Sequence, residues 1–206
     1  MRIPTVAAVV LALIVPAIAQ TTPDVTIRAR MVLDGKGQTL RNTVVTVRNG
    51  KIVSFGAATG AVTYDLGALT LLPGFIDTHV HIGWHFDAKG RYHSGPEPAE
   101  QAALYGAENL FVTLMAGFTT VQSVGAMSDK PLREAIARGV LPGPRLLSSL
   151  GQISNPKMTP EDIRAEVRKK KADGADLVKI FASASTRDGG VPTLSQEQLD
   201  AACGEA

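Results

Sequence analysis

The stretch Leu71-Leu72-Pro73-Gly74-Phe75-Ile76-Asp77-Thr78-His79-Val80-His81 decides the fold prediction for this chain. It is a short apolar, β-branched segment entered through Pro-Gly, which predicts a strand over residues 75–81. Because successive side chains of a strand point to opposite faces, Asp77, His79 and His81 share one face. The two histidines lie roughly 6.6 Å apart at about 3.3 Å of rise per residue, a separation from which both imidazoles can bind one divalent metal ion.

This segment resembles the first barrel strand of the metal-dependent amidohydrolase superfamily, in the branch of the imidazolonepropionases and Xaa-Pro dipeptidases. The resemblance implies that His79 and His81 bind the more buried metal ion of the active site. It also implies an α/β fold, a TIM-type (β/α)8 barrel preceded by a small composite β domain. Spacing alone only permits the metal site, since many His-x-His pairs on strands are not ligands.

The pattern on either side of Pro73 differs. Before it, the segments are short and alternating, and Asn49-Gly50 predicts a two-residue hairpin. After it, predicted strands alternate with helices, which indicates parallel strands joined by crossovers. The predicted strands are 75–81, 119–124, 145–149 and 176–182, and the predicted helices are 98–115, 131–138, 159–172 and one capped by Ser195.

Four β/α units amount to the N-terminal half of a (β/α)8 barrel. The predicted domains are therefore a signal peptide at residues 1–19, a partial composite β domain at residues 20–70, and the first four β/α units of a truncated barrel at residues 71–206.

Lys179 is a single lysine inside the apolar run of the fourth predicted strand, where Leu177, Lys179 and Phe181 share a face. Burial disfavours the charged form of an amine, and a neutral amine can add carbon dioxide to give a carbamate with two metal-binding oxygens. From the local sequence, a lysine whose ammonium group reaches solvent at the barrel rim is the more common case. The resemblance implies the other one: the family's fourth strand carries a carboxylated lysine that bridges two metal ions.

The N-terminus predicts export. Arg2 precedes an apolar run, and Ala17-Ile18-Ala19 is a cleavage pattern, so we expect cleavage after Ala19 and a periplasmic or extracellular protein. An uncleaved anchor is the alternative, disfavoured because the run is short and holds two prolines. Cys203 is the only cysteine of the sequence and leaves no intrachain disulfide within it.

Charge argues against nucleic acid as a partner. The net charge is +2, and the basic run 168–171 is most simply a solvated helix end. The expected partner is a small-molecule or dipeptide substrate, with no stable membrane anchor after cleavage, and a homo-oligomer is compatible with the sequence.

The resemblance implies two divalent ions, most simply zinc, and a metal-activated water that hydrolyses amides, cyclic amides or dipeptides. It places the general-base aspartate and two further histidine ligands on later strands. We therefore expect that aspartate beyond residue 206, and the 206-residue chain to be an incomplete, inactive fragment.

Two alternatives stay open: an exported metal-binding module without catalysis, and a metal-dependent esterase or lactonase on the same scaffold. No substrate-binding residue is identified. His85 and His93 lie in the polar loop after the first strand and are either substrate contacts or, more commonly, surface histidines.

Overall fold

The computed structural model describes residues 23–57, 59–93 and 96–206 of the chain. The chain divides into two compact units between Pro73 and Gly74. The predicted export signal, residues 1–19, lies outside the described residues. Among the helices that the structure describes, none is long and apolar enough to cross a membrane.

One mixed sheet forms the first unit. Its strands are β1 (Val25–Leu33), β2 (Thr39–Arg48), β3 (Lys51–Ala57), β4 (Tyr64–Asp65) and β5 (Thr70–Leu71). β1 pairs with β2 and β2 with β3 in antiparallel fashion, whereas β4 and β5 each pair parallel to β1. The predicted hairpin between β2 and β3 is confirmed, because Asn49 and Gly50 have φ of 50° and 72°, as a type I′ turn requires.

The second unit confirms the predicted alternation of strands and helices. Its elements are β6 (Phe75–Val80), α1 (Ala99–Met115), β7 (Phe118–Ser123), α2 (Asp129–Ala137), β8 (Arg145–Ser148), β9 (Gln152–Ile153), α3 (Pro160–Asp173), β10 (Lys179–Ile180) and α4 (Gln196–Glu205), with a 3-10 turn at Thr186–Asp188. β6, β7 and β8 form a parallel sheet in that order, and β9 pairs parallel to β10.

Two apolar clusters hold the helices on the strands. In the first, Leu110 of α1 and Leu132 of α2 are buried with side chains of β7 and β8. The two helices approach closely at Gly106, where an added Cβ would lie 2.7 Å from Leu132 Cδ1. In the second cluster α3 and α4 pack on β9 through a set of buried apolar residues: Ile153, Ile163, Val167, Ala201 and Ala202.

Local capping confirms where the last two helices begin. Thr159 Oγ1 accepts a hydrogen bond from Asp162 N at 3.1 Å, and the Asp162 carboxylate accepts one from Thr159 N at 2.9 Å. Ser195 and Gln198 make the same reciprocal pair at the start of α4. Each capping box satisfies backbone donors that a helix start otherwise leaves unpaired.

The fourth strand is shorter than the predicted 176–182, since ladder pairing covers only Lys179–Ile180. The reason lies in its neighbour, the third strand, which is interrupted between β8 and β9. There Leu150 and Gly151 both have positive φ, 48° and 105°, so the strand bends out of the ladder for three residues.

Lys170 supports this interruption from α3. The expectation that the whole basic run 168–171 is solvated is wrong for Lys170, which is only 6% exposed. Its ammonium group donates to Leu150 O at 3.3 Å and lies 3.6 Å from Glu166 Oε1. A buried lysine thus satisfies a backbone carbonyl that the bend removes from the ladder.

We predict that Lys170→Met lowers the free energy of unfolding by about 1–3 kcal/mol, because the apolar stem is kept while the Leu150 carbonyl loses its buried donor. Denaturant unfolding of the protein measures this. Lys171→Met is the matched control, since Lys171 is exposed on the same helix and the change there should stay within about 0.5 kcal/mol. Equal effects of the two substitutions would contradict the assigned role.

Candidate metal centre

His79 and His81 lie at the carboxyl end of β6. His79 is exposed and His81 is half-buried, and their ring centroids are 5.6 Å apart, consistent with a shared face. The Asp77 carboxylate turns back onto the strand and accepts a hydrogen bond from His79 N at 2.9 Å. The two imidazoles therefore project from a strand end whose backbone is locally held.

Lys179 reaches the same edge of the unit from β10. It pairs with Gln152 of β9, is half-buried, and its Nζ lies 4.8 Å from the centroid of the Phe181 ring. That contact agrees with the predicted shared face of Lys179 and Phe181. Within the described ranges of the chain, no carboxylate oxygen lies within ion-pair distance of the Lys179 ammonium group.

The electrostatics of His81 link these groups. Burial is the largest cause that lowers the pKa of His81, and the charges of His79 and Lys179 lower it further. Asp129 opposes them and raises this pKa. His81 is therefore biased toward the neutral imidazole, the form that binds metal ions.

Asp129 is a site residue that the sequence pattern did not reveal. Helix α2 was expected to begin at Pro131, but it begins at Asp129, which is 1% exposed. The carboxylate accepts a hydrogen bond of 2.6 Å from Ser148 Oγ, and that hydroxyl in turn accepts one from Leu150 N at 3.1 Å. In sequence an aspartate at a helix start indicates only a favourable helix dipole, so nothing marked its burial.

The space beside Asp129 is closed by a glycine. A Cβ added to Gly125 would lie 2.7 Å from both Asp129 Oδ2 and Ser123 Oγ. Ser123 is fully buried, and its hydroxyl has no hydrogen-bond partner within the described part of the chain. Gly125 is thus required for the polar cluster of Ser123, Asp129 and Ser148 to fit.

A cavity of about 380 Å3 lies at this edge of the strands. Its walls combine polar groups with two aromatic rings, from residues that include His81, Trp84, Asp129, Gln152 and Phe181. Trp84 stacks on His81, with ring centroids 3.9 Å apart and planes within 6°. The carboxyl ends of parallel strands are where barrel enzymes bind their substrates, so this cavity is the candidate site.

His85 and His93 lie elsewhere. Both are partly buried, with ring centroids 4.9 Å apart. They line a different cavity, of about 260 Å3, together with Glu97, which also borders the first one.

Comparison with known proteins gives matches along most of the chain. The model of the amidohydrolase family matches residues 70–206. A solved Xaa-Pro dipeptidase with bound methionine is 26% identical, with a TM-score of 0.74 over 89% of this chain and 54% of that one. A prolidase complexed with N-methylphosphonate-L-proline is 23% identical, with a TM-score of 0.71 over 89% and 53% of the two chains. An ochratoxinase from A. niger is 18% identical, with a TM-score of 0.70 over 89% and 53%.

The chain spans about half the length of these structures, and those under 25% identity show the fold alone. No curated protein sequence matches it.

We predict opposite shifts in the pKa of His81 from two substitutions in the metal-free protein. Lys179→Met raises this pKa toward its usual value of 6.5, because a neighbouring cation is removed, and Asp129→Asn lowers it further. NMR titration of the imidazole measures both. Since the folded pKa is the lower one, protein stability should fall as pH drops through the usual histidine range. Shifts of equal sign in the two variants would contradict the arrangement.

We also predict that Gly125→Ala lowers the free energy of unfolding by about 1–3 kcal/mol, because the new methyl group overlaps Asp129 and Ser123. Thermal or denaturant unfolding measures the loss. Gly83→Ala serves as its control, since a Cβ there meets no atom within 4 Å. Equal free energies of unfolding in the two variants would show that Asp129 and Ser123 leave room for a methyl group at position 125.

Proposed function

The chain belongs to the amidohydrolase family, and on that premise we propose that its protein is a metal-dependent hydrolase of carbon–nitrogen bonds in amides, cyclic amides or dipeptides. Its four β/α units are the N-terminal half of a TIM-type barrel. A barrel alone supports many chemistries, so the fold does not carry the proposal. The observation that carries it is the placement of His79, His81 and Lys179 on one edge of the strands, where the charges of His79 and Lys179 act on His81.

We propose His79 and His81 as ligands of one divalent ion, most simply zinc, and Lys179 as the bridge to a second. The donor set suits such ions, because the lowered pKa of His81 favours neutral imidazole. Carboxylation of Lys179 would reverse its charge: the ammonium group loses one proton, the neutral amine adds carbon dioxide and loses a second proton, and the resulting carbamate is an anion beside two imidazoles. Bound divalent ions would supply Lewis acidity and a water of lowered pKa.

The residues that line the cavity beside His81 would bind and orient the substrate. Trp84 holds the His81 ring by stacking and keeps water from one of its faces. Phe181 and Trp84 contribute apolar surface to the lining of the cavity, which favours a substrate with an apolar group beside its scissile bond. Dipeptides fit this description, and the similar Xaa-Pro dipeptidase was solved with methionine bound in its active site.

This activity is proposed for the whole protein, since the chain covers about half of the similar structures. The general-base aspartate and two further histidine ligands belong, in this proposal, to strands outside residues 1–206. The protein would be exported after cleavage behind Ala19, and a homo-oligomer is compatible with the proposal.

We predict that His79→Ala, His81→Ala and Lys179→Ala in the whole protein each lower the bound metal and cut kcat/KM by at least about a hundredfold, because each removes a ligand. Elemental analysis and dipeptide hydrolysis measure the two effects. Lys157→Ala is the matched control, since Lys157 is an exposed lysine in a loop of the same unit. Short carboxylates should partly restore the Lys179→Ala variant but neither histidine variant.

The same assay separates the alternatives. Matched amide and ester substrates of one acyl group distinguish a hydrolase of carbon–nitrogen bonds from an esterase or lactonase. Metal bound without turnover of either would identify a binding module. Unchanged metal content in all three variants would overturn the ligand assignment.

A further inference from the structure

We propose that His85, His93 and Glu97 form an additional metal site, distinct from the residues on β6 and β10, that binds a divalent ion of the zinc class. Its role is to fasten the loop between β6 and α1. The proposal rests on these three side chains and is independent of the function proposed above.

A short hairpin places the two histidines side by side. His93 N donates to His85 O at 3.1 Å, and Asp87 N donates to Arg91 O at 2.9 Å. The Asp87 carboxylate also accepts hydrogen bonds from the backbone of Arg91 and of Lys89, both at 2.9 Å. Backbone pairing therefore holds the two imidazoles next to each other, with their rings stacked at a centroid distance of 4.9 Å.

Glu97 completes the set from the other side, just before α1. Its Oε2 lies 3.5 Å from His85 Nε2, and one ligand atom from each of the three residues lies within 4.8 Å of the other two. Ligands of a tetrahedral zinc ion at about 2.0–2.2 Å stand roughly 3.3 Å from each other. The ligand atoms of His85 and Glu97 are already near that distance. Rotation of the side chains would bring the other two pairs of ligand atoms to it.

The buried Nε2 atom of His93 supports a bound cation. His85 Nδ1 and His93 Nε2 are both inaccessible to solvent and have no hydrogen-bond partner within the described ranges. A simple ion pair between His85 and Glu97 leaves both without a partner, at a cost of about 1–3 kcal/mol each. A metal ion bound by both histidines gives His93 Nε2 a partner, and two imidazoles with one carboxylate are a ligand set that zinc accepts.

Helix α1 supplies a rigid support for the site. Tyr105 stacks on His85, with ring centroids 3.8 Å apart and planes within 12°. Asn109 Nδ2 donates to Ile82 O and to Trp84 O, both at 2.7 Å, and so fastens the start of the loop. An ion bound by Glu97 would fasten the far end of the loop, so that the hairpin would be held at both ends.

Limited proteolysis tests the proposal, because trypsin cleaves after Lys89 and Arg91, which are exposed at the tip of the hairpin. In the whole protein, stripped with a chelator, zinc at about a hundred times its dissociation constant should slow this cleavage by up to about a hundredfold if cleavage needs local opening. Magnesium at the same concentration should not, since it does not favour imidazole ligands. Cleavage after Lys157, in a different loop, is the internal control.

Variants identify the ligands. His93→Gln and Glu97→Gln should each abolish protection by zinc and lower the zinc content by one ion per chain. Gln101→Ala, which borders the same cavity without being a proposed ligand, should keep both. His79→Ala should lose metal at the other site and still be protected, which separates a failure of this proposal from a failure of the proposed function. Zinc-independent cleavage of the hairpin in the unaltered protein, or full zinc content in both glutamine variants, would overturn it.

Discussion

Backbone hydrogen bonds between the parallel strands β6, β7 and β8 set the positions of His79 and His81 and of the residues opposite them. Val80, Ser123 and Ser148 lie opposite one another across the three strands, so the carboxyl ends of the strands meet at one edge. His81 follows Val80 directly, and Lys179 reaches that edge through the pairing of β10 with β9. A shift of one residue in the pairing of β6 would turn both of its histidines to the opposite face.

Opposing charges then shape this edge. Three basic side chains stand on one side, and their mutual repulsion, added to burial, disfavours a protonated His81. The buried carboxylate of Asp129 opposes them from the start of α2 and itself accepts a hydrogen bond from the Ser148 hydroxyl. The neutral imidazole of His81 is the form that binds a divalent ion, and carboxylation of Lys179 would replace a positive charge at this edge by a negative one, which is the physical basis of the proposed metal centre.

Aromatic contacts connect that edge with the loop between β6 and α1. Trp84 stacks on His81 and also contacts Tyr92 of the hairpin, with ring centroids 5.0 Å apart. Glu97 borders both cavities. Any cation that orders the hairpin would thus also restrict the Trp84 ring against His81, so the additional site has a direct physical route to the first one.

The sequence by itself determined the features that depend on neighbouring residues. The Asn49-Gly50 turn and the Thr159 cap follow from local backbone geometry, and the structure has both. Only the tertiary structure decided which polar groups are buried together. Asp129 meets Ser148 nineteen residues away, and Lys170 meets Leu150 twenty residues away. Such pairs form because buried polar groups must find partners wherever packing brings them together, and no local pattern encodes that choice.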